Sequence, residues 1–234
     1  MFSRDIFFHL LILEKPRLNE SRGFSFSITS SLREEFVMKE QESDAKVVFL
    51  QGRRVYLRPI LRKDIPNIVR WINNTEVTRF LATYLPMMEA DEEQWLDDLP
   101  KKKVTDLVFV IVVAEGDRAI GVMGLHKING KDRTATTGAI IGEKEYWGKG
   151  YGTEAKMLLL HYAFNTLNLR KICSSFISFN RRSHAYQLKC GYVEEGRLRR
   201  QIYRNGRYWD EVLMAVFKKD WLPLWRKYKR EYLS

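Results

Sequence analysis

Apolar residues begin to recur regularly near Val47, and their spacing predicts a strand followed by a helix. Arg53–Ile60 alternates apolar and polar side chains, as a half-buried strand does. Asp64 follows this strand and is a candidate N-cap for the helix. The predicted apolar face of that helix carries Ile65, Ile68, Val69 and Ile72.

The middle of the chain is typical of consecutive antiparallel strands. A short amphipathic piece, Asp91–Leu99, precedes two apolar runs, Leu107–Ala114 and Ala119–Ile128. The turn between these runs, Glu115–Asp117, favours a hairpin. A third strand is expected to follow and to end near Gly142.

Glycine-rich sequence after the third strand opens a helix with apolar residues at helical spacing. Its apolar face comprises Ala155, Leu158, Leu159, Tyr162 and Ala163. Lys171–Phe179 is then expected to form a strand, and Arg181–Lys189 a short helix that ends at Gly191.

The C-terminal part predicts a hairpin and a last helix. Strands near Tyr192–Arg204 and Arg207–Val216 are joined by Asn205-Gly206, a strong signal for a two-residue turn. Lys218–Leu233 is expected to be a basic amphipathic helix with an aromatic face.

Length and composition favour one principal domain with appendages. The chain has 234 residues, of which 45% are hydrophobic and 29% charged, as in globular proteins. Residues 1–45 have no sustained period and are predicted to be a weakly ordered extension, with Met38 as a hypothetical alternative start. Residues 46–220 are expected to form the principal domain and residues 221–234 a basic C-terminal helix.

The net charge and the cysteine content limit the partners and the cellular compartment that are expected for this chain. The net charge of +11 suggests an anionic partner such as a nucleotide phosphate, a nucleic acid or a membrane surface. Cys173 and Cys190 are too few for a disulfide framework and lack the spacing of zinc ligands. The longest apolar run is much shorter than a membrane span. A reducing cytoplasm without a metal site or membrane partner is therefore expected.

Three alternate glycines, Gly148, Gly150 and Gly152, lie between the strand that ends near Gly142 and the next helix. Glycines let backbone N–H groups point inward, and a helix N-terminus adds unsatisfied donors, both of which suit a pyrophosphate. Lys149 adds a full positive charge. The spacing matches neither a Walker A loop nor a dinucleotide fingerprint. A turn that only packs helix on strand is the other interpretation.

The segment Trp147-Gly-Lys-Gly-Tyr-Gly152 with Thr153-Glu-Ala155 behind it resembles the acyl-CoA pyrophosphate loop of the GNAT superfamily of N-acetyltransferases. A second block, Asn180–Tyr192, resembles the branch related to ribosomal-protein N-terminal and polyamine acetyltransferases. The resemblance implies an α+β fold with a mixed, splayed, largely antiparallel sheet flanked by helices, and a C-terminal β-hairpin and basic helix.

The resemblance also implies that acetyl-CoA lies in the splayed gap of the sheet. Backbone groups of the strand end would pair with the pantetheine arm, and amides of the glycine loop would hold the pyrophosphate. Asn180 and Ser183 correspond to contacts near the thioester, although either could simply cap the following helix. The expected cofactor-binding residues are Ile140, Ile141, Gly142, Trp147, Gly148, Lys149, Gly150, Tyr151, Gly152, Thr153, Asn180 and Ser183.

The chain departs from the family where acid–base groups usually stand. Thr136 replaces a glutamate and Gln187 replaces a tyrosine that many relatives have. Tyr186, one residue earlier, is the candidate general acid. Glu143 and Glu145 could act through water, but exposed charge at a strand end is the simpler interpretation. Direct attack of an amine on the thioester in a ternary complex is the expected mechanism.

The family places the acceptor amine between the first helix, the piece Thr75–Leu99 and the last hairpin. The net charge of +11 disfavours a free polyamine, so a protein or peptide N-terminal amine is preferred, with a polyamine or other small amine as the alternative. Basic stretches at Lys101–Lys103 and Arg197–Arg207 leave an RNA- or ribosome-binding module as an alternative of another class. Whether the chain forms a homodimer is left open. The aromatic and acidic residues of the acceptor region are Trp71, Phe80, Tyr84, Asp91, Glu92, Glu93, Asp97 and Asp98.

Overall fold

Residues 46–102 and 104–232, which the computed structural model describes, are built on a sheet of eight strands. The strands are β1 (Leu50–Gln51), β2 (Val55–Pro59), β3 (Leu107–Val113), β4 (Arg118–Asn129), β5 (Thr134–Ile141), β6 (Lys171–Ile177), β7 (Val193–Arg204) and β8 (Arg207–Phe217). Their order in the sheet is β1-β2-β3-β4-β5-β6-β8-β7. The predicted extension of residues 1–45, including Met38, lies outside the described residues.

Helices flank this sheet, and all of them except α2 lie where the sequence predicts a helix or an amphipathic segment. They are α1 (Ile65–Ile72), α2 (Thr75–Thr78), α3 (Glu89–Asp98), α4 (Tyr151–His161), α5 (Arg181–Lys189) and α6 (Lys218–Tyr232). A π-helical turn, Tyr162–Thr166, continues α4. No helix in the described ranges is both long enough and apolar enough to cross a membrane.

The sheet opens between β5 and β6. These two strands are parallel, whereas every other neighbouring pair is antiparallel. Their pairing ends at Thr136 and Cys173, after which they separate. At this point the Thr137 hydroxyl donates to the Cys173 carbonyl over 3.4 Å, and the Ser174 hydroxyl donates to the Thr137 carbonyl over 3.4 Å. The prediction of a mixed, splayed, largely antiparallel sheet is confirmed.

The C-terminal helix packs through its aromatic face. Trp221 and Trp225 belong to the hydrophobic core, and their rings stack 5.3 Å apart. Trp221 also lies 5.3 Å from the ring of Phe164, and His161 stacks on Trp225 at 4.5 Å. The helix begins at Lys218, and the domain boundary at residue 220 stays a prediction.

Two local predictions had different outcomes. Asn205 and Gly206 both have positive φ, +52° and +78°, as the predicted two-residue hairpin turn requires. Asp64 occupies the predicted N-cap position of α1, but its side chain makes no capping hydrogen bond to this helix. Its carboxylate accepts two hydrogen bonds of 2.7 Å from Arg58 and one of 2.8 Å from the Leu61 N–H. Asp64 therefore joins β2 to α1 through a buried ion pair.

Candidate active site

The end of β5 presents backbone groups to the gap in the sheet. The Gly142 N–H donates to the Ile120 carbonyl of β4 over 2.8 Å. Because antiparallel ladders alternate, Ile141 turns its N–H and carbonyl toward the gap, and Ile140 turns its own toward β4. The Trp147 indole already donates to the Ile141 carbonyl over 2.7 Å. Among the three residues expected to pair with pantetheine, Ile141 is therefore the best placed, through its N–H group, because Trp147 already occupies its carbonyl. The pairing itself stays a prediction.

The glycine loop has the backbone conformation of an anion cradle. Gly148 and Gly150 have φ of +73° and +87°, which favour glycine, and Gly150 stands at the N-cap of α4. No side chain in the described part of the chain caps α4, so its first N–H groups, from Tyr151 to Thr153, keep their donors for a ligand. A Cβ on Gly152 would make only ordinary contact, 3.7 Å from Ile141, so this glycine is not required by space.

The buried carboxylate of Glu154 helps to hold the glycine loop in place through Arg54. The sequence pattern did not reveal this role of Glu154. Glu154 is 3% exposed and accepts a hydrogen bond of 2.7 Å from the Arg54 N–H and one of 3.0 Å from the Arg54 Nε. Arg54 also donates to the Lys149 carbonyl over 3.0 Å, and its guanidinium lies 4.6 Å over the Tyr151 ring. The start of β2 and the loop are thus held together, while the Lys149 side chain is exposed.

The start of α5 lies across the gap from β5. Asn180 caps this helix, because its side-chain oxygen accepts the Ser183 N–H over 3.0 Å. The Ser183 hydroxyl accepts from the Gln187 amide over 3.1 Å. The Asn180 amide nitrogen has no hydrogen-bond partner among the described residues, so it can still donate to a ligand. Contacts of Asn180 and Ser183 with the cofactor stay predictions.

Tyr186 lies beneath the cradle next to a buried lysine. Its hydroxyl is buried without a hydrogen-bond partner in the described part of the chain, and burial raises the pKa of Tyr186 well above its usual value. The Lys156 Nζ lies 5.6 Å from the Tyr186 ring and 5.6 Å from the Tyr192 ring. Lys156 is 1% exposed, and burial lowers the pKa of its ammonium group to about 7. The general-acid role of Tyr186 stays a prediction, and the sequence pattern gave no sign of Lys156.

Glu143 is buried, so the interpretation of this residue as exposed charge was wrong. It is 7% exposed and accepts hydrogen bonds from Arg70, from the Trp71 indole over 2.9 Å and from Arg118 over 3.3 Å. Burial opposes ionisation, but the Arg70 and Trp71 hydrogen bonds and the nearby positive charges hold the pKa of Glu143 below its ordinary value. Glu143 therefore ties α1 to the end of β5. Glu145 is half exposed and pairs with Arg118 at 2.7 Å.

Glu143→Gln should lower the free energy of unfolding by about 1 kcal/mol near neutral pH, because the paired arginines are more than half exposed. A carboxylate whose folded pKa is lowered stabilises above its unfolded pKa, and this contribution is lost as pH falls through the folded pKa. Urea unfolding near pH 7 and at acidic pH should therefore show a difference that shrinks on acidification. Glu115→Gln, at an exposed carboxylate in the turn between β3 and β4, is the control. A pH-independent difference would contradict the ion-pair explanation.

Trp71 does not form a wall of the acceptor site. It is 2% exposed and lies so close to Gly142 that a Cβ there would stand 2.0 Å from its ring. The close approach of indole and backbone explains why this position needs glycine.

A cavity of about 340 Å³ lies between the end of α2 and the start of α5. Its lining residues are Arg79, Phe80, Phe179, Asn180, Arg181, Arg182 and Asn205. The Arg182 guanidinium lies 4.0 Å over the Trp147 ring and 4.8 Å over the Phe80 ring. Phe80 is 5.9 Å from Phe179, so aromatic rings connect the loop after α2 with the end of β6.

Arg204, at the tip of β7, holds the loop after α2 in place. One Arg204 nitrogen donates to the carbonyls of Leu81, Ala82 and Thr83 over 2.9, 2.7 and 3.0 Å. The Tyr84 ring lies 5.9 Å from the same guanidinium and is 66% exposed. The loop and the last hairpin therefore form one wall beside the gap.

The acidic residues of α3 are largely engaged elsewhere. Asp97 pairs with Arg62 at 2.5 Å, and Asp98 pairs with Lys101 at 2.6 Å. Glu92 is 1% exposed, and Asp91 accepts the Met88 N–H over 3.0 Å. Most of these acidic side chains therefore already have intramolecular partners.

Several features that suggested RNA binding also have structural partners. Lys101 is paired with Asp98, and Arg197 is paired with Glu194 at 2.7 Å. Trp221 and Trp225 are packed in the core and cannot stack on bases. Lys103 lies outside the described residues.

The sheet that opens between β5 and β6 and the glycine loop before α4 agree with the acyl-CoA-dependent transferase fold that the resemblance implied. Residues 54–193 match the family model described as Acetyltransferase (GNAT) domain. The chain belongs to this family and is an N-acetyltransferase that takes its acetyl group from acetyl-CoA.

Named relatives and a solved structure are consistent with this assignment. The spermidine N(1)-acetyltransferase of Escherichia coli (strain K12) is 33% identical over 173 residues, which cover 72% of this chain and 88% of the relative. A candidate ribosomal N-acetyltransferase of Bacillus subtilis (strain 168), YdaF, is 35% identical over 101 residues, which cover 43% of this chain and 55% of the relative. The spermidine N-acetyltransferase of Vibrio cholerae, solved in complex with CoA and spermine, has a TM-score of 0.68 and 28% identity. It covers 72% of this chain, and the match spans 98% of that structure.

Proposed function

We propose that the acceptor is the α-amine of a peptide or protein N-terminus, acetylated in the cytoplasm by direct attack on the thioester. The observation that carries this proposal is the lining of the cavity beside Asn180. Arginines and aromatic rings line it, and no acidic side chain does so among the described residues. A polyamine bears several ammonium groups, which such a lining repels.

The chemistry of the amine supports the same choice. An alkyl amine with a pKa near 10.4 is only roughly one part in 2,500 neutral at pH 7, whereas an α-amine with a pKa of about 8 is roughly one part in ten neutral. Thr136 and Gln187 stand where the family usually has acid–base groups. An acceptor that needs little help in losing its proton fits this site better.

A polyamine is the second candidate, because three of the similar curated proteins and several of the similar solved structures are named as spermidine N-acetyltransferases. Residues that could attract it are the carboxylates of α3 that remain exposed, such as Glu93. Ribosome contact and homodimer formation stay predictions under either acceptor.

An acceptor screen that monitors release of the CoA thiol separates the two candidates. We expect turnover of peptides with a free N-terminus, no turnover of the same peptides after N-terminal blocking, and none of spermidine. The blocked peptides are the matched control, because they keep every other side chain. Turnover of spermidine without turnover of any peptide would reverse the proposal.

A further inference from the structure

The cavity between α2 and α5 is lined by arginines and by no acidic side chain of the described residues, although Glu76, outside the lining, is close enough to Arg79 for their charges to interact. The Arg79 and Arg182 guanidinium groups make no hydrogen bond or ion pair with the described residues. Both instead lie over the Phe80 ring, at 4.5 Å and 4.8 Å. Burial and the positive charge of Arg79 lower the pKa of Arg182. Two guanidinium groups that line one cavity without an acidic side chain in that lining suit an anionic ligand.

We propose that Arg79 and Arg182 bind a carboxylate of the acceptor, so that the enzyme prefers peptides with acidic residues next to the N-terminal amine. This inference rests on the proposed peptide acceptor. Guanidinium groups bind carboxylates through charge-assisted hydrogen bonds, and a cavity of about 340 Å³ has room for such a side chain.

The position of the cavity limits which carboxylate can reach it. Asn180, the predicted contact near the thioester, is part of the lining, so an amine at the thioester stands beside the arginines. A carboxylate in the first two or three residues of the peptide satisfies this geometry. Arg182 stacks over the rings of Phe80 and Trp147, and Arg79 stacks over Phe80, contacts that favour guanidinium positions beside the cavity.

The test compares peptides that differ only in charge, with Asp or Glu at the second and third positions against Asn or Gln. We expect kcat/KM to be roughly tenfold higher for the acidic peptides, a ratio that one charge-assisted hydrogen bond supports. The double variant Arg79→Gln/Arg182→Gln should reduce this ratio to below about threefold. Arg182→Lys, which keeps the charge, should retain part of the preference. Arg199→Gln, an exposed arginine of β7 outside the cavity, is the control and should leave the ratio unchanged.

Each contrary outcome has its own meaning. Equal kcat/KM for acidic and neutral peptides, or an unchanged ratio in the double variant, would overturn only this inference. Turnover of spermidine without turnover of any peptide would overturn the proposed function and this inference with it. A phosphate of the cofactor shares the anionic chemistry, so acetyl-CoA affinity is measured by calorimetry in parallel. A double variant that loses acetyl-CoA affinity while keeping the peptide ratio would assign the arginines to the cofactor and overturn the inference.

Discussion

Gly150→Asp is expected to lower the affinity for acetyl-CoA by at least about 100-fold, because it sets a carboxylate where the pyrophosphate binds. Gly150 is the N-cap of α4, and no side chain of the described residues accepts from the first amides of this helix. An aspartate there can accept those amides itself and repel a phosphate. A Cβ at this position also stands 3.1 Å from an Arg54 nitrogen, and the φ of +87° disfavours side chains.

Calorimetric titration of acetyl-CoA measures the effect, and thermal unfolding verifies that the variant is folded. Gly116→Asp is the matched control, because Gly116 has a φ of +76° in the turn between β3 and β4 with nothing within 4 Å of an added Cβ. This control makes the same substitution at a glycine of similar backbone conformation that lies outside the glycine loop. Unchanged acetyl-CoA affinity in a folded Gly150→Asp protein would contradict the assignment of the cradle.

Lys156→Met should stabilise the protein by roughly 2 to 4 kcal/mol near pH 7, because it removes a buried, unpaired charge and keeps a side chain of similar length. Lys156 makes no hydrogen bond or ion pair with the described residues and lies against the rings of Tyr186 and Tyr192. Burial lowers its pKa from 10.5 to about 7. The unfolded chain therefore binds more protons than the folded one between these two values, so the free energy of unfolding rises with pH across that window.

Denaturant unfolding from about pH 7 to about pH 10 tests the lysine prediction. The original protein should gain stability as pH rises, and Lys156→Met should lose this pH dependence while remaining the more stable protein at neutral pH. Lys131→Met, in an exposed turn, is the control and should change neither quantity. A Lys156→Met protein that is less stable near pH 7 would show that the ammonium group has a compensating partner.

The elements that local sequence determines were predicted well. The helix over Arg181–Lys189 agrees with its predicted bounds, because a capping asparagine and a terminal glycine delimit it within the chain itself. The last hairpin follows from Asn205-Gly206, whose backbone preference needs no tertiary contact. The gap in the sheet followed from the family resemblance rather than from any periodicity.

The parts of the site that depend on distant residues were not predicted. Glu143 is buried because Arg70 and Arg118 reach it from positions 73 and 25 residues away in the sequence. Lys156 is buried because α5 and Tyr192 cover its side of α4, and helical periodicity carries no information about that cover. Asp64 has the residue type and position of a cap, but the buried Arg58 competes for its carboxylate.

The short pairing between β5 and β6 gives the two halves of the sheet few direct hydrogen bonds, although one hydrophobic core also joins them. Within the sheet, three residue pairs connect β1–β5 with β6–β8, and hydroxyl bridges from Thr137 and Ser174 close the end of that connection. We expect the free energy of local opening, as amide hydrogen exchange measures it, to be lower for hydrogen bonds near this junction than for those inside either half. A ligand that lies across the gap and contacts both halves stabilises the closed arrangement by mass action. We therefore expect bound acetyl-CoA to strengthen the coupling between the two half-sheets, in addition to serving as the acetyl donor.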